Sequence, residues 1–254
     1  IRPGAGNHQN AKEDWEQQID QLKLHASPIH KKREVCTAEV KAAITNAIAQ
    51  RIPQHKYGVF LSGGVDSSLL TLLAQKQNAN MICYTIGYKG TTEAKDVTSS
   101  RVLAKTFNLQ WKLKILTLED VEKYIKYAIK IMKPVNLIDS VSIGIAVVII
   151  AAAEEAKKDE INTFIGGLGA EEIFAGYKRH LDVKDVNEEC WRGLRAMWSR
   201  DLVRDAALAT ALNIEVRTPF LDREVIMAAM RCPGAWKIAD GQRKIILRGI
   251  AESL

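Results

Sequence analysis

Three short apolar runs, each followed by a stretch with helical spacing, fill residues 57–132 and fix what this chain can become. Tyr57-Gly-Val-Phe-Leu61 reads as a buried strand ending at Ser62, with a helical pattern over Ser67–Gln77. Met81–Ile86 is the second run, followed by a two-faced helix over 93–107. Leu109–Leu116 alternates as a strand does, and Leu118–Met132 is amphipathic again. Repeated βα units of this length predict an α/β fold: a parallel twisted sheet with helices on both faces. A helix with Val40, Ala43, Ile44, Ala47 and Ile48 at helical spacing precedes the first strand, over Val35–Ile52. Val141–Lys157 is apolar nearly all round at its start, as a buried helix would be. Ile161–Ile165 is the next strand, with Gly166-Gly167-Leu168-Gly169 as its exit turn, and a mostly helical part follows from about Ala170.

The 254 residues, 47% of them hydrophobic, are enough to bury a sizeable core. Residues 1–34 are polar, with Pro3, Gly4, Gly6 and Pro28 and little periodicity. They read as an N-terminal arm or the stub of an upstream domain, with one domain over 35–254. The chain begins at Ile1 and stops soon after Arg248, so flanking segments are expected at both ends. Cys36, Cys83, Cys190 and Cys232 stand far apart without a C-x-x-C pair, which argues against a zinc ribbon, a disulfide framework or a redox centre. A reducing cytoplasm is the simplest setting. The longest apolar stretch, Ile143–Ala153, falls well short of the roughly 20 residues that span a bilayer, and no signal-peptide pattern is visible, so no membrane partner is expected. A net charge of +6 mildly favours polyanions. The cluster His30-Lys31-Lys32-Arg33 has no interleaved aromatics and reads as a solvated linker, not a nucleic-acid site.

The sharpest chemical signal is Ser62-Gly63-Gly64-Val65-Asp66-Ser67-Ser68, directly after the first strand and before a helix. Two glycines let backbone approach a ligand closely, while the following helix aims free N–H groups and its positive end at the turn, so an anion is the expected ligand. Ser62, Ser67 and Ser68 add hydroxyls. Asp66 places a carboxylate where a bridging divalent cation makes it tolerable beside phosphates. That combination suits pyrophosphate with magnesium. The Walker A pattern is excluded, because no lysine stands at its required place.

S-G-G-V-D-S-S after a strand resembles the signature of the PP-loop ATP pyrophosphatases, which split ATP between its α and β phosphates. Three later segments narrow the resemblance to the asparagine-synthetase type. Ile165–Tyr177 (IGGLGAEEIFAGY) is similar to that family's SGEGADELFGGY segment. Glu215–Asp222 (EVRTPFLD) resembles its E-x-R-x-P-F-L-D, and Lys244–Arg248 its K-x-x-L-R. The resemblance implies an adenine nucleotide alpha hydrolase-like, Rossmann-like three-layer fold. It implies a ligase that adenylates a carboxylate, with aspartate the favoured acid, releases pyrophosphate and forms an amide with ammonia. The ammonia would be free or supplied by a glutaminase domain or subunit, and a homodimer is compatible with the resemblance. Residue by residue, Ser62, Gly63, Gly64, Asp66, Ser67 and Ser68 would hold the pyrophosphate, with Leu61, Ile86, Gly166 and Gly167 around the adenosine. Asp66 and Glu171 would bind Mg2+, and Lys244 would neutralise charge on the reacting phosphate. Arg217 and Asp222 flank a rigid turn before a helix; Asp222 can cap that helix and Arg217 can pair with a buried carboxylate.

The chain departs from the family at two places. Leu168 replaces the glutamate of SGEG, and a leucine cannot accept a proton or orient ammonia. Asp139–Gly144 stands where bacterial members have Thr-Thr-x-Arg, credited with gripping aspartate, and offers no arginine. Three other readings therefore stand beside the leading one: a catalytically altered nucleotide-binding homologue, a PP-loop ligase with a different acceptor, and a tRNA-modifying relative. The last would bring a cysteine pair or an RNA-binding extension, and neither is visible.

Overall fold

The computed structural model describes residues 8–27, 32–90 and 95–254. Residues 1–7 of the expected arm, His30 and Lys31 of the basic cluster, and the expected helix start at 93–94 lie outside the described residues. The chain runs α1 (His8–His25), α2 (Arg33–Ala49), β1 (Tyr57–Phe60), α3 (Val65–Gln77), β2 (Met81–Tyr88), α4 (Lys95–Thr106), β3 (Trp111–Leu116), α5 (Leu118–Met132) and α6 (Ser140–Lys157). It continues through β4 (Thr163–Ile165), α7 (Ala170–Ile173), α8 (Val186–Met197), α9 (Val203–Leu212), β5 (Glu215–Arg217), α10 (Arg223–Arg231), β6 (Ile238–Ala239), β7 (Gln242–Arg243) and α11 (Ile245–Glu252). Two compact units emerge: a sheet unit of Ile52–Gly166 and Arg200–Arg217, and a helical unit of Ile1–Arg51, Gly167–Ser199 and Thr218–Leu254.

The sheet unit carries five parallel strands in the order β3-β2-β1-β4-β5. The expected α/β architecture is present, and strand alternation shows how both faces are covered. Phe60, Ile82, Tyr84, Phe164 and Val216 point to one face, where they pack with Ala152 and Ala156 of α6. The other face meets α4: a Cβ on Gly87 would stand 2.7 Å from Val97, and the Ser100 hydroxyl donates to the Leu61 carbonyl at 3.2 Å. A second core joins α5, α6 and α9 through Tyr124, Ala128, Met132, Ala146, Val147, Ile150 and Leu208. In α9 the buried Arg204 holds Asp201 at 3.1 Å and Asp205 at 2.7 Å, so its charge is matched where it is desolvated. The expected burial of α6 holds only for one side. Ile143, Ala146, Val147 and Ile150 are inside, whereas Val141 is 65% and Ile145 36% exposed. Hydropathy without a polar stripe does not tell which side of a helix finds a neighbour.

In the helical unit, part of residues 1–34, read as an arm or the stub of an upstream domain, is helical and packed. Over His8–His25 it forms α1, whose Ala11, Trp15, Ile19 and Leu22 are buried, with Trp15 Nε1 donating to the Leu194 carbonyl of α8 at 3.1 Å. The stripe follows the helical period but is one residue wide among Glu, Gln and Lys, so average composition hides it. Arg195 of α8 reaches Glu16 at 2.7 Å, and Lys23 reaches Glu188 at 2.7 Å, along the rim of this contact. The buried faces of α2 (Val40, Ile44, Ile48) and α10 (Val225, Ile226, Met230) form the rest of this core, with Phe174 and Phe220 edge to face at 5.9 Å. Asp222 caps α10, accepting from Glu224 N–H at 2.9 Å, and takes Arg51, just past the end of α2, at 2.8 Å. All four cysteines are buried free thiols. Among the described residues no helix is long and apolar enough to cross a membrane.

One buried cation stands out in this unit. Lys237 has no exposed surface, and its amine donates to the Met230 sulfur at 3.4 Å. Burial holds its pKa below the ordinary 10.5, against the opposing pull of Cys190, Cys232 and Asp185. The unfolded chain therefore keeps this proton up to pH 10.5 while the folded chain releases it at lower pH, so stability rises with pH between the depressed value and 10.5. Lys237→Met, which matches length without charge, is expected to remove that slope and to gain about 1–3 kcal/mol at neutral pH. Urea unfolding of both proteins from pH 7 to 10 measures it; equal slopes would show that the amine stays charged in the fold.

Candidate active site

The turn that leaves β1 sits at the centre of the sheet's carboxyl edge, where ligands of open α/β sheets bind. Its shape is set by hydroxyls. Ser62 N–H donates to Ser67 Oγ at 3.2 Å, the two serine oxygens stand 3.0 Å apart, and Ser67 Oγ reaches the Gly64 carbonyl at 3.2 Å. Ser67 is thereby a brace of the turn, while Ser68 N–H closes the first α3 hydrogen bond to Gly64 O at 3.0 Å. The two glycines do different work. Gly63 has φ +75°, and a Cβ there would stand 2.7 Å from the Asp96 carbonyl and 2.9 Å from Ser100 N of α4. Gly64 has φ −72°, and its Cβ would meet only Ser62 Oγ at 3.5 Å. The protein's own packing gives no reason for glycine at 64, whereas close approach of a ligand to the backbone does.

α3 begins on Gly64 with no side-chain cap, so its first-turn N–H groups face outward with the positive end of the helix behind them. Asp66 lies half-buried in that first turn. The loop thus offers backbone donors for a phosphate and a carboxylate for a hard cation.

Leu61 and Ile86 are placed on opposite sides of the sheet. Leu61 is 1% exposed, its N–H donates to Tyr84 O at 3.0 Å, and its carbonyl accepts from Thr85 Oγ1 at 2.6 Å, so it has no polar atom to spare. Ile86, two residues on from Tyr84, packs toward α6. Gly166 is buried and donates to the Arg217 carbonyl at 2.9 Å; the Gly167 carbonyl accepts from Ala170 N–H at 3.3 Å. Arg217 bonds Glu215, a carboxylate 52% exposed, at 3.0 Å.

In the helical unit, Glu171 and Lys244 are brought together: Lys244 Nζ lies 2.5 Å from Glu171 Oε1. Lys244 itself is left-handed, φ 59° and ψ 36°, and only 8% exposed, so both backbone and side chain are held. Gly176 makes the pair possible, since a Cβ there would stand 2.2 Å from Lys244 Cε. Arg243 Nη1 in turn holds the Gly176 carbonyl at 2.7 Å. Glu171 Oε2 is buried without a hydrogen-bond partner among the described residues, a hard oxygen suited to a divalent cation. The adjacent Glu172 is different: it is 1% exposed and accepts from the Tyr177 hydroxyl at 2.7 Å, which makes it architecture. Gly176 and Arg243 were not singled out by sequence reasoning. The glycine in Phe174-Ala-Gly-Tyr177 was the available signal, and Arg243 had none.

A sequence model of the family described as asparagine synthase matches residues 39–185 and 180–254, a range that takes in the phosphate loop, Glu171 and Lys244. The chain belongs to the asparagine synthase family. Among relatives it is 32% identical over 206 residues to the "Putative asparagine synthetase (glutamine-hydrolyzing) 1" of Methanocaldococcus jannaschii, covering 78% of this chain and 37% of that protein. It is 27% identical over 195 residues to the "Asparagine synthetase (glutamine-hydrolyzing) 3" of Arabidopsis thaliana, covering 72% and 33%. The chain thus spans between a third and two fifths of the length of these two relatives. The solved NMN synthetase structure from Francisella tularensis aligns over 76% of this chain and 92% of that one, with 14% identity and a TM-score of 0.41, too loose to bear on the site of a family member.

The two glycines of the loop separate by stability. Gly63→Ala is expected to cost about 2–4 kcal/mol, from left-handed strain plus backbone overlap, whereas Gly64→Ala should stay within about 0.5 kcal/mol of the parent. Thermal denaturation of both variants checks the contrast; equal losses would mean the loop is shaped otherwise.

Proposed function

We propose that this chain is the synthetase part of an ATP-dependent carbon–nitrogen ligase, which adenylates a small carboxylic acid, releases pyrophosphate, and forms an amide with ammonia. The observation that carries the reading is the Ser62–Ser68 turn: an uncapped helix start, a glycine whose backbone is open to close approach, and a half-buried carboxylate, in a chain of the asparagine synthase family. The acid's carboxylate oxygen attacks the α-phosphorus of ATP, the α–β bridging bond breaks, and the electron pair leaves with pyrophosphate. Ammonia then attacks the acyl carbon, AMP departs, and one proton is released.

Backbone N–H groups at the start of α3 stabilise negative charge as it moves onto the departing pyrophosphate, acting where charge develops rather than where it starts. Asp66 and Glu171 would hold Mg2+, which when bound offsets charge on the phosphate oxygens. Glu171 can serve two cations at once, because Oε1 is engaged by Lys244 and Oε2 is not hydrogen-bonded. Lys244 supplies a compact ammonium to the reacting phosphate, fixed in direction by its left-handed backbone and by Glu171. A glutaminase domain or subunit is the proposed nitrogen source, in keeping with the glutamine-hydrolyzing names of the relatives. The cytoplasm is the proposed compartment, consistent with four free thiols.

The relatives' names point to aspartate as the acid. Leu168 in place of the family's glutamate, and the lack of an arginine in Asp139–Gly144, favour a second reading, the same chemistry on another acceptor.

Lys244→Met is expected to lower ATP–pyrophosphate exchange by about 10²–10³-fold with nucleotide affinity nearly unchanged, and Lys244→Arg should not restore it, because a planar fork does not replace a point charge. Asp66→Ala should abolish the magnesium dependence of nucleotide binding. Pyrophosphate exchange over a panel of acids, with equilibrium binding of ATP, tests the proposal. It fails if no acid supports exchange and Asp66→Ala binds nucleotide and metal as the parent does.

A further inference from the structure

The geometry points to Arg243 as a positioning residue for Lys244, an assignment that rests on the ligase reading above. Every residue it involves lies in the helical unit. Arg243 ends β7, the second strand of a hairpin whose two-residue turn, Asp240-Gly241, is left-handed at both positions, φ 50° and 72°. A turn of that hand matches the twist of the strands it joins, so Ile238 is held opposite Arg243. The hairpin is rooted at its base, where Lys237 is fully buried and its carbonyl accepts from Ile245 N–H at 3.0 Å.

From neighbouring positions, Arg243 and Lys244 reach one short stretch of chain. Arg243 Nη1 donates to the Gly176 carbonyl at 2.7 Å, Gly176 N–H donates to the Glu171 carbonyl at 2.8 Å, and Glu171 Oε1 accepts from Lys244 Nζ at 2.5 Å. With the peptide bond between 243 and 244, these contacts close a ring. Successive side chains of an extended strand point to opposite faces. The left-handed backbone of Lys244, φ 59°, breaks that alternation, and both side chains grip residues 171–176. The ammonium is therefore fixed twice, by its own contact with Glu171 and by the seating of the turn that carries Glu171 and Gly176.

What Arg243 touches separates this role from others. Its partner on the turn is a neutral carbonyl, so it takes no share of the Glu171 carboxylate and leaves that group to Lys244. Arg243 is exposed, and a hydrogen bond that water can replace adds little to stability. What the bond does supply is direction. On the other side of the residue, Arg248 Nε donates to the Arg243 carbonyl at 3.0 Å and steadies the backbone just before Lys244. Misplacing a reacting group by about 1 Å can cost on the order of 10²-fold in rate. A small shift of the turn is thus felt in the chemistry before it is felt in the fold.

The test replaces Arg243 by Met and by Lys in the full chain. It follows ATP–pyrophosphate exchange, thermal denaturation, and acetic anhydride labelling of each lysine read by peptide mass mapping. Arg243→Met is expected to lower the kcat of exchange by about 10–100-fold, with the KM for ATP nearly unchanged. Arg243→Lys should recover most of the rate, because a carbonyl needs one N–H and not a fork. In Arg243→Met, Lys244 should label about tenfold faster or more, while the fully buried Lys237 stays protected as in the parent. The assignment is overturned, with the ligase left standing, if Arg243→Met exchanges as the parent does or if Lys244 labels no faster. It is overturned equally if the loss lies in KM, which would mean that the arginine holds the nucleotide itself, or if Arg243→Lys is no better than Arg243→Met. A Met variant that fails to fold, or that labels at Lys237 as well, would make Arg243 a residue of stability and end the assignment too. Should no acid support exchange in the parent, the ligase reading falls and labelling decides alone: faster modification confined to Lys244 keeps Arg243 as the residue that seats that lysine, and an unchanged rate removes it.

Discussion

A side chain at Gly58 would have nowhere to go. Its Cβ would stand 2.5 Å from two ring atoms of Phe164 and 3.3 Å from the ring of Tyr84. The space is filled by Phe164 stacked on Phe60, centroids 4.5 Å apart and rings 4° from parallel, with Tyr84 tilted against it at 6.1 Å. β1 is the middle strand, bonded to β2 on one side and β4 on the other, so its seating fixes the register of Phe60 with Tyr84 and of Val59 with Ile165. In a parallel sheet all strands deliver their next residues at one edge. The same packing that closes the core therefore places Ser62 at the head of the phosphate loop.

Left-handed backbone occurs at several places among the described residues, the proposed site among them. Gly63 and Gly169 are left-handed, and so is Lys244, a residue for which that conformation ordinarily costs about 1–2 kcal/mol. The Glu171 contact and the hydrogen bond from Ile245 N–H to the Lys237 carbonyl, 3.0 Å, hold it there. Pairing a buried ammonium with a partly exposed carboxylate is a poor way to add stability, because desolvation offsets much of the attraction. Gly176 and Arg243 are nevertheless committed to keeping that pair in place. A direction in space for one ammonium group is what those contacts secure.

Much of the sheet unit was legible in the sequence, for physical reasons that also explain the misses. β2, β3 and the helices between them are long enough for period 2 or period 3.6 to show, and the phosphate loop is contiguous, so its chemistry can be read in one place. β5 is three residues long, too short to alternate, and was absorbed into a stretch read as helical. α1 was hidden because one narrow stripe, Trp15, Ile19 and Leu22, carries its burial. Gly58 and Arg243 could not be found, since each is explained by an atom far along the chain. The pair Glu171 and Glu172 shows the same limit: adjacent and chemically identical, they are separated only by which one meets Lys244 and which one meets Tyr177.

Helix starts show where local stability gave way to binding. Thr117 caps α5, Asp139 caps α6, Asp185 caps α8 and Asp222 caps α10, each accepting from a first-turn N–H. α3 begins instead on Gly64. A glycine in place of a good cap costs only a few tenths of a kcal/mol, roughly, small against the core that holds α3 through Leu69, Leu70 and Leu73. An aspartate there would satisfy the helix and set a fixed negative charge where a pyrophosphate is to lie, with like-charge repulsion in a partly desolvated turn far exceeding the gain from the cap. The start of α3 is thus one in the sheet unit whose donors remain available for chemistry.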